Sequence, residues 1–396
     1  MIKKNLSFIL FSNGMGGAEQ VVMQLIKHID HTKFNVYLIT NTEMLTYFNG
    51  LLDQENIFNI GSLYNYSSNH FLNRILNKIV RTLDLQKYLI KLKLKNILKF
   101  IDKNKISILH AHLMYDLYAG QLIKEKLNQI NFIYTIHGFL NLDNNLKLKY
   151  ALTHEEFKDY LTNVDYTTCV SELLQTKVIQ TLPAIKQKCI YISNALEKIN
   201  FEKISQFDMK NKKINLLFMG GEKEVKGGIL LIKAIEYLIQ THTTTNFILT
   251  ILGPINKNNT FYKMLKNNII IEKYIEIVGF VNPPEHLDYI KQSDVLILPS
   301  KSEGMPIVLY EGMKLKSALL VSDIPIFKSL LEDQVSALFF SLNIESLATS
   351  LNKIISDTQL RNTIVKYNTK QKIPYWDEII KEYENIYIQR NNNIDE

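Results

Sequence analysis

The sequence of 396 residues predicts an α/β protein built from two doubly wound, Rossmann-like domains. Three observations support this fold class. Short, continuously apolar segments alternate with helical patterns along the chain, as in parallel sheets that helices cover on both faces. Each half opens with an apolar strand, a glycine-rich turn and a helix, first over residues 6–29 and again over residues 215–239. The length also suits two domains of ordinary size.

Composition narrows the class of protein. A content of 46% hydrophobic and 21% charged residues describes a globular protein and excludes a disordered one. The formal net charge of +7 indicates attraction to anionic partners in general, without distinguishing nucleic acid, membrane or nucleotide-sugar phosphates. The two cysteines, Cys169 and Cys189, are too few for a disulfide framework and lack metal-ligand spacing, so we expect a cytoplasmic location.

The N-terminus has a basic start and a short apolar run, as a secretory signal would. The run from Leu6 to Phe11 is too short for a signal core and no small-residue cleavage site follows it, so we predict a first buried strand here. No segment approaches the ~20 apolar residues that a membrane span needs. Any membrane association is therefore expected to be peripheral.

The first domain is predicted over residues 1–197. Its predicted strands cover residues 6–11, 35–40, 57–60, 106–109, 132–136, 166–170 and 190–192, and its predicted helices residues 20–29, 116–127 and 154–161. The turn after the first strand contains Gly16 and Gly17, which let the backbone approach a phosphate at the helix N-terminus. The spacing is not the dinucleotide fingerprint, which argues against a nicotinamide enzyme.

Residues 71–100 are the most unusual stretch in composition, because basic and apolar residues are interleaved there and acidic residues are almost absent. Two interpretations stay open. The segment is a basic amphipathic helix on an anionic membrane surface, or an ordinary surface helix whose apolar face belongs to the core. No nucleic-acid-binding motif accompanies the charge, so a nucleic-acid partner is not expected.

Histidines stand at two predicted strand ends, which form the functional edge of a parallel sheet. His110 and His112 follow the strand at 106–109, and His137 follows the strand at 132–136. The His-x-His pair suggests zinc, but no third ligand lies at a sensible spacing, so no metal site is predicted.

A polar segment at residues 196–213 is predicted as the interdomain linker, and the second domain is predicted over residues 198–372. Its predicted strands cover residues 215–219, 247–252, 275–278, 295–298 and 318–321, and its predicted helices residues 229–239 and 286–292. A final helix is expected within residues 373–390, followed by a disordered tail at 391–396.

The strand at residues 295–298 ends in a loop that leads to a helix N-terminus, the place where ligands bind in open parallel sheets. Glu303 lies in this loop and Glu311 lies eight positions later on the helix, with Pro306 predicted in the first helical turn. Carboxylates accept hydrogen bonds from hydroxyl groups, so sugars and ribose are natural ligands of such a pair. The alternative is that Glu303 only favours the helix N-terminus and Glu311 is a solvated helix residue.

Residues 293–313 fit the pattern sDvlilPSxxEGmPxvxxEgm, which resembles the donor-binding signature of the retaining glycosyltransferases of family 4, also called group 1. The resemblance extends to the Gly-Gly-Ala-Glu turn at 16–19, to the strand end at His137 and to residues 220–228, which are similar to the GRLxxxKG turn of the family. It implies the GT-B fold, in which two Rossmann-like domains face a cleft and a C-terminal helix crosses back to the first domain.

The resemblance also implies roles for the matching residues. The catalytic residues would be His137, Glu303 and Lys226, with His137 and Glu303 on the sugar hydroxyls and Lys226 on the diphosphate; Glu311 would hold the ribose hydroxyls. The full donor-binding set that it implies is Gly16, Gly17, Gly220, Lys223, Lys226, Gly253, Gly279, Glu303, Gly304, Met305, Pro306 and Glu311.

The chain departs from the family at Gly221, where members have an arginine. Either Lys223 or the helix N-terminus compensates, or the leaving diphosphate is stabilised less than in typical members. This departure keeps a non-catalytic sugar-binding protein open as an alternative. A nucleotide-sugar 2-epimerase of the same architecture is the other alternative.

The activity that the resemblance implies is retaining transfer of a hexose or N-acetylhexosamine from a nucleotide-diphosphate sugar to a glycan or lipid-linked glycan acceptor. UDP is the expected nucleotide, and neither a cofactor nor a metal is expected. The richness in Lys, Asn and Ile suggests an AT-rich bacterial genome, in which such enzymes build capsule, lipopolysaccharide or exopolysaccharide. The expected location is the cytoplasm, on the inner face of the cell membrane if residues 71–100 bind it.

Overall fold

The computed structural model describes residues 2–64, 84–139, 152–198, 213–241 and 246–389. The chain forms two compact units, one of Met1–Glu197 with Pro374–Glu396 and one of Lys198–Ile373. Each unit contains one parallel sheet with helices on it, which confirms the predicted α/β class.

The first unit is built on a parallel sheet. Its strands are Lys4–Leu10 (β1), Phe34–Thr40 (β2), Ile57–Asn59 (β3), Ile108–Ala111 (β4), Asn131–Ile136 (β5), Tyr166–Cys169 (β6) and Cys189–Tyr191 (β7). Their order in the sheet is β3-β2-β1-β4-β5-β6-β7. The order changes direction between β1 and β4, which is the switch point where doubly wound sheets bind ligands at the carboxyl ends of their strands.

Six helices of the first unit precede its last strand: Gly17–His28 (α1), Leu45–Phe48 (α2), Leu85–Lys103 (α3), Met114–Lys124 (α4), His154–Asn163 (α5) and Glu172–Thr181 (α6) within the described ranges. The helix α3 falls in the basic segment predicted at residues 71–100, of which residues 71–83 lie outside the described residues. It turns Ile90, Ile97 and Ile101 into the core, so one face of this helix has the ordinary packing role.

The C-terminal helix, Trp376–Ile388, packs on α1 and returns to the first unit, as predicted. The N–H of Leu196 donates to the carbonyl of Pro374 (2.9 Å), and the N–H of Trp376 donates to the carbonyl of Leu196 (3.0 Å). Leu196 is buried by this exchange, so the prediction that the polar linker begins at residue 196 is wrong. Residues 199–212 of the predicted linker lie outside the described residues.

The strand predicted at residues 106–109 lies two residues too early, because β4 covers Ile108–Ala111. The connection after α3 extends to Ile106, whose N–H donates to the carbonyl of Ile101 (2.9 Å). His110 is therefore inside a buried strand and not beyond its end. The strand tolerates this histidine because both ring nitrogens have hydrogen-bond partners, as described below.

The second unit contains the strands Ile214–Met219 (β8), Phe247–Leu252 (β9), Ile275–Gly279 (β10), Val295–Leu298 (β11), Ala318–Ser322 (β12) and Leu338–Phe340 (β13). They form a parallel sheet in the order β10-β9-β8-β11-β12-β13, with its switch point between β8 and β11. The helices are Gly228–Thr241 (α7), Thr260–Asn267 (α8), Ile269–Glu272 (α9), His286–Gln292 (α10), Ile307–Lys314 (α11), Pro325–Leu330 (α12), Ile344–Ser356 (α13) and Thr358–Asn368 (α14). The predicted bounds of β9, β11 and α10 are confirmed.

The second unit differs from the predictions at Pro306 and in several elements that were not predicted. Pro306 stands just before α11 with an extended ψ of 115° and is not in the first helical turn. The helices α13 and α14 were not predicted, although Asn343 and Asp357 cap them by accepting hydrogen bonds from Ser346 (2.8 Å) and Leu360 (2.8 Å). Both residues are of types that commonly cap helix N-termini, so the sequence did contain the signals for these two helix starts.

Candidate active site

Two glycine turns meet at the carboxyl ends of β8 and β9. Gly221 and Gly253 both have left-handed backbones, with φ of +51° and +117°, and the N–H of Gly221 donates to the carbonyl of Leu252 (3.0 Å). A Cβ atom on Gly221 would lie 2.4 Å from the carbonyl oxygen of Pro254. A side chain at residue 221, where the family has arginine, would therefore require the two turns to separate.

A third glycine brings the turn after β8 against the loop after β11. Gly227 has φ +76°, and a Cβ atom there would lie 1.8 Å from the carbonyl oxygen of Pro299. The N–H of Lys301 donates to the carbonyl of Val225 (2.8 Å), which ties the same two segments together. This contact places the short helical turn Glu224–Lys226 beside the loop that contains Glu303.

Lys226 and Glu303 form an ion pair at this junction. The Lys226 Nζ lies 2.7 Å from Oε1 of Glu303, and the Ser300 hydroxyl donates to the same oxygen (2.6 Å). The two side chains expose 30% and 11% of their surfaces, so the pair is reachable from solvent through the lysine. The Ser322 hydroxyl donates to the carbonyl of Ser300 (2.6 Å) and holds the loop in place. The site thus offers one cation and one carboxylate at the switch point of the sheet.

Glu311 has a different partner. Oε1 of Glu311 lies 3.0 Å from Nε2 of His286, the first residue of α10, and these side chains expose 14% and 15% of their surfaces. The other ring nitrogen of His286, Nδ1, is buried without a hydrogen-bond partner in the described part of the chain. Glu311 is therefore a positioned carboxylate and not the solvated residue of the alternative interpretation. Sequence reasoning missed His286, because nothing local marks a residue whose partner lies 25 positions away.

The remaining predicted donor residues of the second unit lie in turns and loops at the carboxyl ends of its strands. Gly279 has φ +89°, and its carbonyl accepts from the N–H of Gly253 (2.7 Å). Gly304, Met305 and Pro306 are buried between Glu303 and α11. The Lys223 backbone N–H donates to the carbonyl of Gly220 (3.3 Å), and its side chain is exposed.

The predicted residues Gly16 and Gly17 of the first unit lie in the turn after β1. Gly16 caps α1 and Gly17 is its first residue. Glu19 accepts a hydrogen bond from the Ser12 hydroxyl, and one of its carboxylate oxygens lies where it would contact a Cβ atom on Gly16. Glu19 thus fixes the shape of the turn, a role that the sequence analysis did not assign.

A buried carboxylate joins the ends of β1 and β4. Asp116 accepts hydrogen bonds from the backbone N–H groups of Phe11 (2.7 Å), Leu113 (2.8 Å) and His112 (3.4 Å). Burial raises the pKa of Asp116 to about 8, although the three N–H donors act to lower it. Sequence reasoning also missed Asp116, whose partners are set by the switch point of the first sheet.

His137 follows β5 and contacts His112, not a carboxylate. Nε2 of His137 lies 3.0 Å from Nδ1 of His112, and the two rings are stacked with centroids 5.2 Å apart. Burial lowers the pKa of His137 to about 3. Among the described residues, no three His, Cys, Asp or Glu side chains are grouped so as to hold a metal ion.

Two parallel doubly wound sheets, each with a glycine turn at its switch point, define a two-domain α/β protein of the doubly wound class. Two family models match the chain. Residues 15–197 match "Glycosyltransferase Family 4", and residues 200–371 match "Glycosyl transferases group 1". The chain belongs to glycosyltransferase family 4, and it is a glycosyltransferase.

Individual relatives are distant in sequence. An uncharacterized glycosyltransferase of Methanocaldococcus jannaschii is 26% identical over 270 residues, covering 67% of this chain and 70% of the relative. The UDP-Gal:alpha-D-GlcNAc-diphosphoundecaprenol alpha-1,3-galactosyltransferase of Escherichia coli is 22% identical, covering 73% of this chain and 76% of that enzyme. The structure of sucrose-phosphate synthase from Thermosynechococcus elongatus has a TM-score of 0.76 at 13% identity, covering 97% of this chain and 98% of that one. The last likeness confirms the GT-B fold.

Proposed function

We propose that the protein transfers a hexose or N-acetylhexosamine from a nucleoside-diphosphate sugar to a glycan or lipid-linked glycan acceptor, with retention of the anomeric configuration, in bacterial surface polysaccharide synthesis. The observation that carries this proposal is the Lys226–Glu303 ion pair at the carboxyl ends of β8 and β11. A cation for the diphosphate and a carboxylate for hydroxyl groups are what a nucleotide sugar requires. The E. coli relative, named for UDP-Gal and a diphosphoundecaprenol acceptor, supports UDP and a lipid-linked acceptor.

In the proposed reaction the bond between the anomeric carbon and the diphosphate oxygen breaks, and its electron pair leaves with the diphosphate. The acceptor hydroxyl oxygen bonds to the anomeric carbon on the same face of the sugar, and its proton passes to the departing phosphate oxygen. Lys226 stabilises the charge that develops on the diphosphate. Glu303 orients the sugar hydroxyls and Glu311 the ribose hydroxyls. His137 binds the sugar, and the backbone of Gly16 and Gly17 helps to stabilise the diphosphate charge.

The absent arginine is compensated, in this proposal, by the backbone and by Lys223. The turn at Gly220 and Gly221 brings main-chain groups to the strand end without a side chain in the way, and helix α7 begins at Gly228, after the short helical turn Glu224–Lys226. The exposed Lys223 side chain is the second cation of the turn. Lys226 and Lys223 together neutralise the diphosphate. The proposal therefore assigns no role to a metal ion.

The donor site predicts a specific thermal shift. In calorimetric and thermal-shift titrations against UDP-, GDP-, ADP- and CMP-sugars, the UDP-sugar should stabilise the protein by about 2.7 kcal/mol at 100 times its Kd. Glu311→Ala should abolish this stabilisation because the ribose hydroxyls lose their acceptor. Glu345→Ala, which removes an exposed carboxylate in the first turn of α13, is the matched control and should keep it. Equal stabilisation of the wild type and Glu311→Ala would contradict the assignment.

Activity assays of the purified wild-type protein distinguish the proposed function from its alternatives. Conversion of a free nucleotide sugar into its 2-epimer without an acceptor would identify an epimerase. Donor binding without turnover against any acceptor pool would identify a non-catalytic sugar-binding protein. Transfer that needs an acceptor supports the proposed activity.

We also propose that α3 lies on an anionic membrane surface. Opposite its buried isoleucines, Tyr88 and Leu92 expose 58% and 57% of their surfaces. Exposed lysines flank them on the same helix, at Lys91, Lys93, Lys95, Lys99 and Lys103. Two apolar side chains among basic ones suit the boundary between lipid headgroups and acyl chains. No helix in the described ranges has the length and hydropathy to cross a bilayer.

Vesicle co-sedimentation tests this surface. The protein should bind vesicles that contain anionic phosphatidylglycerol and should not bind pure phosphatidylcholine. Lys91→Ala with Lys95→Ala should weaken binding by about 30-fold, since each basic residue near the surface contributes about 1 kcal/mol. Lys366→Ala with Lys370→Ala, a pair of exposed lysines at the end of α14, should have no effect. Equal binding to both vesicle types would refute the membrane proposal.

A further inference from the structure

Three histidines stand in a row on one face of the first sheet. His110 and His112 are two positions apart in and after β4, and His137 follows the neighbouring strand β5. The ring centroids are 4.1 Å apart from His110 to His112 and 5.2 Å apart from His112 to His137. The row therefore runs from the buried middle of the sheet to the carboxyl ends of its strands, where the candidate sugar-binding residue lies.

His110 is fixed at the buried end of the row. Its Nδ1 lies 2.7 Å from the hydroxyl of Tyr387, on the C-terminal helix, and its Nε2 lies 2.7 Å from the hydroxyl of Thr135 on β5. Both nitrogens are thus occupied. The Phe8 ring packs against both His110 and His112, with centroids 5.6 and 6.2 Å away. The ring of His112 is consequently held in one orientation by aromatic neighbours.

His112 has one partner and one unpaired nitrogen. Its Nδ1 lies 3.0 Å from Nε2 of His137, and its Nε2 is buried without a hydrogen-bond partner in the described part of the chain. Burial lowers the pKa of all three imidazoles, so each is neutral at neutral pH and has one proton. A single proton must therefore lie between His112 Nδ1 and His137 Nε2.

The position of that proton follows from the unpaired nitrogen. If His137 donated through Nε2, His112 would have its own proton on Nε2, and a buried N–H would have no acceptor. If His112 donates through Nδ1, its Nε2 is an unpaired acceptor instead. In proteins, a buried N–H without an acceptor is rarer than a buried acceptor atom without a donor. An unpaired buried polar group costs free energy, and the arrangement with the unpaired acceptor is therefore favoured. The second arrangement leaves the proton of His137 on Nδ1.

We propose that His112 is a positioning residue that holds His137 in the Nδ1–H tautomer, so that His137 presents a hydrogen-bond donor to an oxygen atom of the sugar. A free imidazole side chain prefers the Nε2–H tautomer, so the contact with His112 reverses the intrinsic preference. The tautomer itself depends only on the contacts within the first unit. Its use in sugar binding rests on the proposed function.

Nuclear magnetic resonance of ring-labelled histidine measures the tautomer directly. Long-range correlations between ring protons and ¹⁵N nuclei distinguish a protonated Nδ1 from a protonated Nε2, and the missing signals of His137→Gln assign the residue. The wild-type protein without ligand should show His137 protonated on Nδ1. Once the signals are assigned, a wild-type His137 protonated on Nε2 would overturn the proposal.

Two substitutions at His112 test the cause. His112→Ala removes the donor, and His137 should shift to the Nε2–H tautomer. His112→Asn keeps an amide N–H close to the position of Nδ1 and should restore the Nδ1–H tautomer. His31→Ala, at an exposed histidine before β2, should change nothing and is the matched control. An unchanged His137 tautomer in His112→Ala overturns the proposal.

Kinetics separate this inference from the proposed function. With a UDP-sugar as substrate, kcat should fall about tenfold in His112→Ala and recover to within about threefold of wild type in His112→Asn, with KM nearly unchanged, as expected for the loss of one oriented hydrogen bond. A loss that His112→Asn fails to rescue would indicate a packing role and overturn the proposal. Absence of transfer in the wild type would refute the proposed function, while the tautomer of His137 would still be decided by the spectra.

Discussion

Lys226→Ala should lower kcat for sugar transfer by about 10²- to 10³-fold, the range observed when one charge-stabilising group is removed from a transition-state site. Lys226 is the cation that the turn after β8 holds at the end of the second sheet, 2.7 Å from Glu303. In the proposed mechanism its removal takes away the charge that stabilises the departing diphosphate, and it also leaves Glu303 without the lysine of its ion pair. Initial rates over a range of UDP-sugar concentrations would give kcat and KM separately.

A second lysine in the adjacent loop provides a matched control. Lys301 pairs with Glu224 at 3.0 Å, but the two side chains expose 52% and 85% of their surfaces. Exposed ion pairs contribute about 0–1 kcal/mol, so Lys301→Ala should keep kcat within about threefold of wild type and leave stability nearly unchanged. If Lys226→Ala and Lys301→Ala had the same small effect, Lys226 could not be the diphosphate cation.

Gly221→Arg should destabilise the second unit by about 3 kcal/mol or more and should not accelerate transfer. The left-handed backbone at Gly221, with φ +51°, costs about 1–2 kcal/mol for any residue with a Cβ atom. That Cβ would also lie 2.4 Å from the carbonyl oxygen of Pro254 and 3.0 Å from the carbonyl carbon of Gly253, so the two turns would have to separate. The midpoint of urea denaturation measures the loss.

Gly17→Ala is the control for a glycine without such constraints. A Cβ atom on Gly17 would have no heavy atom within 4 Å, and its backbone is not left-handed. Since Gly17 is the first residue of α1, alanine there should change the free energy of unfolding by no more than about 1 kcal/mol. If Gly221→Arg kept wild-type stability and accelerated transfer, the turn would accommodate the arginine, and the prediction would be wrong. A loss of stability in Gly221→Arg, but not in Gly17→Ala, would show that residue 221 must be glycine for the two turns to stay in contact.

Short segments of sequence determined the fold class and the core of the candidate site. The strand β11, the loop with Glu303 and the helix with Glu311 were predicted because apolar runs, breakers and a loop of a few residues interact mainly with their own neighbours in the chain. The glycine turns after β1 and β8 were also predicted from local sequence alone. Periodicity also placed β9 and α10 at their observed bounds.

Only the tertiary structure decided the partners of these residues. The pairs of Lys226 with Glu303, Glu311 with His286 and His137 with His112 join positions 25 to 77 residues apart, and the register of parallel strands selects them. The misplaced bounds of β4 show the limit clearly, because a shift of two residues moved His110 from a strand end into the buried sheet. The periodicity of a strand predicts which residues share a face, but its start is set by backbone hydrogen bonds to a neighbouring strand that is distant in sequence.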